Sequence, residues 1–286
     1  MPEAPRAQTA GEADGYPVEY WVQPEELASV AYAGYWNDEE VEKVKRWDVA
    51  GRGFAELDRH LQETGLLRQL SDCVAVAARL GRPFRGVGAD LACGVLWAAP
   101  ALLEAGAEKV YGVEYSSHRL LKIGPLVLRR HSVPSGKVTL CLGSFYELKL
   151  QDRSLDFVLM AEAFHHADDP ERLLREIRRV LRPEGVVLLV GEHIVGPAAY
   201  LYAKNAAKFV ASRLVPEGVQ RRLLGHTIVA PRLLPSLEEL LRPDPVAGDH
   251  YYLAAQYAAM FSRQGFAQRR VLTKGCRFQA FVLTPG

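Results

Sequence analysis

The chain has 286 residues, of which 49% are hydrophobic and 24% are charged, and this composition is typical of a folded globular protein. Its 35 Lys and Arg residues almost balance its 34 Asp and Glu residues, so no strong field favours a nucleic-acid partner. No apolar run approaches the roughly 18 residues that span a bilayer, and we expect no membrane partner.

The cysteines disfavour both a metal site and a disulfide framework. They are widely spaced and contain no C-x-x-C pair, so the sequence predicts no bound metal. Free thiols suit a reducing compartment, and a cytoplasmic location is expected. The four residues are Cys73, Cys93, Cys141 and Cys276.

The first third of the chain predicts a tail followed by helices. Residues 1–15 are polar and rich in small side chains, which is typical of a disordered tail. Residues 16–83 carry helical patterns and predict an N-terminal cap. Pro24 starts one helix, a charged helix covers residues 38–47, and two more cover 54–70 and 71–80. A Gly-Arg-Pro break then ends the cap.

Residues 84–286 alternate apolar runs with helical patterns and predict one catalytic domain. Several runs are continuously apolar, as expected where helices cover both faces of a parallel sheet. The pattern predicts a Rossmann-like, doubly wound α/β fold with seven strands, mostly parallel and with the last one antiparallel. The predicted strands cover residues 88–92, 109–114, 137–142, 155–160, 186–190, 266–273 and 276–284.

Residues 196–249 interrupt this alternation with helical patterns and several prolines. We interpret them as an insertion over the carboxyl ends of the strands, which is where open α/β sheets bind ligands.

The turn after the first core strand predicts a cofactor that contains a nucleoside. A helix that begins directly after a strand presents free backbone N–H groups to a ligand. Glu114 ends the neighbouring strand, where an acidic side chain can accept hydrogen bonds from a ribose. Gly86 and Gly88 precede the turn, so the spacing does not fit the dinucleotide fingerprint.

Six short motifs, in order, resemble the class I S-adenosylmethionine-dependent methyltransferases. They are D-L-A-C-G at 90–94, V-E-Y-S at 113–116, G-S-F at 143–145, S-L-D-F-V at 154–158, F-H-H at 164–166, and a D-P helix ending in R-V-L-R-P-E-G at 179–185. The resemblance implies S-adenosyl-L-methionine as the cofactor. It also implies a set of cofactor-binding residues, namely Asp90, Ala92, Cys93, Gly94, Glu114, Tyr115, Ser144, Phe145 and Glu162.

Three positions depart from the family pattern. Ala92 and Leu96 replace glycines of the first motif, and Ser144 replaces an aspartate beside the adenine. A side chain at the first two positions restricts the backbone near the ligand. These departures keep a second hypothesis open, in which the domain binds or assembles without turnover.

Histidines are the candidate catalytic residues. Methyl transfer to a hydroxyl benefits from a base, and histidine serves near neutral pH. His165 and His166 follow the fourth core strand, and His193 follows the fifth. His250 precedes the last helix in a polar and aromatic cluster. A purely structural role for the turn at 164–166 stays open.

The sequence therefore predicts a methyltransferase that acts on a small molecule. The leading hypothesis is O-methylation of a sugar or a natural-product intermediate, because helical additions at both ends would enclose a compact pocket. Two alternatives are an inactive binding protein and an enzyme that keeps the cofactor for another reaction. A homodimer also stays open.

Overall fold

The computed structural model describes residues 8–22, 35–36, 49, 53–193, 196–224, 227–228, 230, 232–244 and 248–286. The helix start predicted at Pro24 and the charged helix predicted over 38–47 lie outside these residues.

The described residues form one mixed sheet of nine strands, in the order β1-β2-β5-β4-β3-β6-β7-β9-β8. The pairings among β2 to β7 are all parallel, whereas β1 pairs antiparallel with β2, and β9 pairs antiparallel with both β7 and β8. The predicted α/β class and the antiparallel last strand are confirmed, but two strands are added. The strands are β1 Gln8–Ala13, β2 Tyr16–Tyr20, β3 Gly86–Leu91, β4 Ala107–Glu114, β5 Val138–Leu142, β6 Leu155–Ala161, β7 Leu181–Glu192, β8 Phe266–Val271 and β9 Gln279–Pro285.

The two additional strands form a hairpin where the sequence predicted a tail and the start of a helical cap. Asp14 and Gly15 both have left-handed φ angles, of 57° and 86°, and an Asp-Gly pair is a strong signal for a two-residue hairpin turn. Tyr16 and Val18 are buried on one side of β2. The Tyr16 hydroxyl donates to the Val133 carbonyl at 2.7 Å, which fixes the hairpin beside β5.

Nine α-helices accompany the sheet in the described residues. The first two meet at Gly65, whose left-handed φ of 72° ends α1, rather than at residue 70 as predicted, because glycine adopts this conformation without strain. The helices are α1 Ala55–Thr64, α2 Leu66–Arg79, α3 Ala99–Glu104, α4 Gly124–Arg130, α5 Pro170–Val180, α6 Ala198–Leu214, α7 Glu217–Leu224, α8 Leu237–Leu240 and α9 Ala254–Arg263.

Helices cover both faces of the central strands. Val158 and Met160 of β6 pack with α5 and α9 on one face, while Phe157 and Leu159 pack with α2 and α3 on the other. Alternate side chains of a strand point to opposite faces, so both clusters share the same strands. Because β2 to β7 run parallel to one another, their carboxyl ends lie at the same edge of the sheet. No helix in the described part of the chain has the length and apolar character needed to cross a membrane.

Candidate functional site

A cavity of about 270 Å³ lies at the carboxyl ends of β3, β4, β6 and β7. One end is formed by the turn after β3 and by Glu114, and the other end by His165, His166 and His193. The predicted cofactor end and three of the four predicted catalytic histidines therefore share one cavity.

Glu114 is held in place by backbone groups of the turn. Its Oε2 accepts a hydrogen bond from the Gly94 N–H, and its Oε1 accepts from the N–H groups of Tyr115 and Ser116, all at 2.9 Å. A carboxylate offers about four acceptor positions. One position on Oε2 is left, and Glu114 lines the cavity, so a ligand hydroxyl can use it.

The turn after β3 has the left-handed backbone typical of glycine at two positions where its sequence has other residues. Ala92 and Leu96 have left-handed φ angles of 53° and 62°. The Leu96 side chain is fully buried in a space left by two glycines. A Cβ at Gly112 would come within 2.3 Å of Leu96 Cδ2, and one at Gly124 within 2.8 Å of its Cδ1. The Leu96 side chain thus fits because Gly112 and Gly124 have no side chains of their own.

Asp90 lies buried at the end of β3 and does not line the cavity. Its Oδ1 has no hydrogen-bond partner among the described residues. Burial, and then the neighbouring Glu114 carboxylate, raise the pKa of Asp90 well above its usual range. Asp90 therefore lies behind the turn and not on the cavity wall.

Two neighbouring residues that were expected to contact the cofactor differ in position. Phe145 lines the cavity, whereas Ser144 does not. The Ser144 hydroxyl instead accepts the Tyr146 N–H at 3.2 Å, which gives it a local turn-forming role.

Trp36 adds an aromatic wall to the cavity, where the sequence left open whether the N-terminal aromatic residues pack against the sheet or cover the pocket. Trp36 lines the cavity, with the Arg119 guanidinium carbon 4.7 Å from its ring centroid and the His166 ring 5.2 Å away. Trp36 comes from the N-terminal region, so no local motif links it to the site.

Three histidine rings pack against one another at the other end of the cavity. His165 and His166 lie on the 3₁₀ turn after β6, and His193 follows β7. The centroid of the His165 ring is 4.1 Å from that of His193 and 4.4 Å from that of His166. Burial lowers the pKa of His166 and outweighs the nearby Asp249.

Glu192 fixes the orientation of His165. It is fully buried at the end of β7, where its Oε1 accepts the Phe164 N–H at 3.1 Å and its Oε2 accepts the Tyr257 hydroxyl at 2.9 Å. His165 Nδ1 lies 3.3 Å from the same Oε2. Burial opposes protonation of His165, but the Glu192 carboxylate prevails and raises its pKa.

Asp249 joins the histidines from the loop before α9; the sequence placed it in the polar and aromatic cluster before the last helix but did not predict it as a catalytic residue. Its Oδ1 is 3.1 Å from His166 Nδ1, and its Oδ2 is 3.4 Å from His193 Nε2. The loop is held there because the His250 N–H donates to the His165 carbonyl at 2.8 Å. Burial would raise the pKa of Asp249, but His166 and His193 lower it well below its usual range.

His250 does not reach this cavity. Its Nε2 is 3.1 Å from Asp168 Oδ1, and its ring stacks on Tyr252 with centroids 6.0 Å apart. It borders a separate cavity beside α8. Its backbone, not its imidazole, contributes to the site.

Glu162 lines the cavity between its two ends. Its φ of 54° is left-handed, and its Oε2 is 3.2 Å from His60 Nε2. A Cβ at Gly191 would lie 2.6 Å from Glu162 Cγ, so this glycine gives the side chain its room. His60, on α1, was not predicted as a site residue.

The lining residues fit a nucleoside ligand. Ala92, Cys93 and Gly94 present the turn to the cavity. No atom lies closer than 3.9 Å to the position of a Cβ on Gly94, so the space above its backbone is open. An acceptor on Glu114 and aromatic walls suit a ribose and a planar base.

Comparison with known proteins shows that the core is similar to methyltransferases. Residues 89–189 match a family described as a methyltransferase domain. Over 97 residues, the chain is 32% identical to a sterol 24-C-methyltransferase of Aspergillus fumigatus, covering 34% of this chain and 25% of that enzyme. The chain thus spans about a quarter of the length of this curated relative.

Two solved structures share the fold over most of the chain. A 1,6-didemethyltoxoflavin-N1-methyltransferase of Burkholderia thailandensis, with bound S-adenosylhomocysteine, has a TM-score of 0.50 and 16% identity, covering 92% of this chain and 89% of that one. A magnesium protoporphyrin IX methyltransferase of Synechocystis, also with bound S-adenosylhomocysteine, has a TM-score of 0.50 and 15% identity, covering 87% and 94%.

Proposed function

Since residues 89–189 match a methyltransferase-domain family, we propose that this protein is an S-adenosylmethionine-dependent methyltransferase of a small molecule, with a hydroxyl of a sugar or a natural-product intermediate as the acceptor. The supporting observation is the shared cavity. It joins the acceptor position on Glu114 to the histidine cluster of His165, His166 and His193.

One end of the cavity binds the cofactor, and the other end binds the acceptor. Glu114 accepts a hydrogen bond from a ribose hydroxyl. The cofactor is enclosed by the turn at Ala92 and Gly94 and by the aromatic residues Trp36 and Phe145. S-adenosylmethionine supplies a methyl group on a sulfonium, which a nucleophile attacks in line. Catalysis then depends mainly on positioning.

The histidine cluster serves the acceptor. An imidazole within hydrogen-bond reach of the acceptor hydroxyl can take its proton as the new C–O bond forms. Glu192 fixes the His165 ring through Nδ1, and Asp249 faces the other two rings. We propose that these two carboxylates position the imidazoles. Glu162, which lines the same cavity, offers a further polar contact.

The relatives support a small acceptor without identifying it. The solved neighbours named above methylate a toxoflavin precursor and a porphyrin according to their names. Aromatic and imidazole side chains make up eight of the 18 residues that line this cavity, as in sites for compact organic ligands.

Isothermal titration calorimetry with S-adenosylhomocysteine tests the cofactor site. Glu114→Ala should weaken binding about 10- to 100-fold, because a hydrogen bond to a charged group contributes about 1.5–3 kcal/mol. Glu104→Ala, which removes an exposed acid on α3, should bind like the wild type. Unchanged binding by the folded Glu114→Ala protein would contradict the proposed site.

Product analysis tests the acceptor. Hydroxylated candidates are incubated with S-adenosylmethionine, and release of S-adenosylhomocysteine is measured together with the mass of the product. Cofactor binding with no methyl transfer to any oxygen, nitrogen or carbon acceptor would favour a binding protein instead.

A further inference from the structure

The histidine end of the cavity contains a group of side chains with the chemistry of a metal site. His165, His166 and Asp249 each offer one ligand atom, and these atoms all lie within 4.8 Å of one another. We propose that His165, His166 and Asp249 bind a divalent first-row transition-metal ion. This proposal runs against the expectation from cysteine spacing that the chain binds no metal.

The contacts within the group have the distances of hydrogen bonds but not their directions. His166 Nδ1 is 3.1 Å from Asp249 Oδ1, yet both atoms are buried and have no hydrogen-bond partner among the described residues. Ligand atoms point at a shared ion rather than at each other. Two ligand atoms with bonds of about 2.1 Å to one tetrahedral ion stand about 3.4 Å apart, close to the spacing of this pair.

His193 also lies close to the Asp249 carboxylate, at its other oxygen, without forming a hydrogen bond. Its Nε2 is 3.4 Å from Asp249 Oδ2, and this buried nitrogen also has no hydrogen-bond partner in the described part of the chain. Polar atoms buried without partners cost free energy. An ion between His166 and Asp249 would satisfy the two unpartnered atoms of that pair.

His165 carries the support that a metal ligand requires. A ligating histidine usually donates its second ring N–H to a carboxylate, which fixes the tautomer and the ring. His165 Nδ1 is 3.3 Å from Glu192 Oε2, which leaves Nε2 for coordination. Glu192 is itself fixed by the Phe164 N–H and the Tyr257 hydroxyl.

The donor set selects the class of ion. Two imidazoles and one carboxylate suit Zn²⁺, Fe²⁺ or Co²⁺, whereas Mg²⁺ and Ca²⁺ prefer oxygen ligands. Three protein ligands leave coordination positions open to the cavity. An acceptor hydroxyl bound there would become more acidic. This role rests on the proposed function, but binding of the ion does not.

Metal analysis of the full chain tests the proposal. Untagged protein is dialysed against Zn²⁺ and then against metal-free buffer, and zinc is measured by mass spectrometry. We expect about one equivalent per chain in the wild type and less than a tenth in His166→Ala and Asp249→Asn. His131→Ala, which removes an exposed histidine after α4, should retain the ion.

Two readouts keep the result interpretable. Circular dichroism establishes that each variant is folded, and Asp249→Asn keeps nearly the same shape if His166→Ala does not fold. Zn²⁺ should raise the melting temperature of the wild type but not that of Asp249→Asn, since an ion that binds only the folded state stabilises it. A wild type that retains no zinc, or folded variants that retain as much, would overturn the proposal.

Binding of S-adenosylhomocysteine is measured on the same wild-type sample. Zinc retention without cofactor binding would leave the metal site standing and refute the proposed function. Cofactor binding without zinc retention would refute the metal site and leave the histidines to act as bases alone.

Discussion

The turn after β3 carries two left-handed residues that should respond in opposite ways to glycine. Ala92 and Leu96 have φ angles of 53° and 62°, in a region that is costly for residues with a Cβ atom. Ala92 is partly exposed, whereas Leu96 is fully buried. Glycine relieves the backbone at both positions but removes substantial packing at only one.

Ala92→Gly should stabilise the protein. A left-handed conformation costs a residue with a Cβ atom about 1–2 kcal/mol. Glycine also increases the entropy of the unfolded chain, which lowers the free energy of unfolding by about 0.4–1 kcal/mol. The free energy of unfolding should therefore rise by about 0.5–1 kcal/mol.

Leu96→Gly should destabilise the protein. Its side chain fills the space above Gly112 and Gly124, and truncation of a buried leucine cost about 2.7–5.0 kcal/mol in the T4 lysozyme series. Relief of the backbone, less the greater entropy of the unfolded glycine chain, offsets about 0.5–1 kcal/mol of this loss. The net decrease should be about 2–4 kcal/mol.

Urea unfolding, with one slope fitted to all proteins, measures these values. Leu96→Ala is the matched control, because it removes the packing and keeps the left-handed Cβ. Leu96→Gly should then be more stable than Leu96→Ala by about the amount that Ala92→Gly gains, roughly 0.5–1 kcal/mol. If Ala92→Gly destabilises the fold, or if Leu96→Ala is the more stable of the two truncations, the reasoning from backbone strain fails.

Three further substitutions probe the fold around the site. Tyr257→Phe removes the 2.9 Å hydrogen bond to the buried Glu192 and should lower the free energy of unfolding by about 1–2 kcal/mol, measured by urea unfolding. Gly88→Ala places a Cβ 2.4 Å from the buried Phe157 ring; overpacking should cost about 1–3 kcal/mol, and a neutral result would contradict this contact. Of the four thiols, only that of Cys276 is partly exposed. A disulfide reagent should therefore modify one thiol quickly in the native protein and none quickly in Cys276→Ser.

The sequence predicted the central sheet well because its signals are local. Continuous apolar runs gave β4 to β7 within a few residues, and Glu114 was placed at a strand end by the same runs. The hairpin at residues 8–20 was missed although its Asp-Gly turn is a local signal. A polar and small-residue composition outweighed that signal.

The histidine end of the site was predicted only in part. His165, His166 and His193 follow strands that end at the same edge, so the topology brings them together. Asp249 depends on a loop held by the His250 N–H, and a backbone hydrogen bond of this kind leaves no trace in the sequence. The sequence predicted the imidazole of His250 as a site group because this residue stands next to Asp249 in a polar and aromatic cluster, but its side chain lies outside the cavity.

Both edges of the nine-stranded sheet resist pairing with a strand from another molecule. β1 has an irregular register between Thr9 and Gly11, and β8 exposes Arg269 and Arg270; bulges and charges of this kind block intermolecular strand addition. Two copies of the chain are therefore not expected to join by extending the sheet. Deleting residues 1–15 as a dispensable tail would uncover the backbone of β2 and invite aggregation.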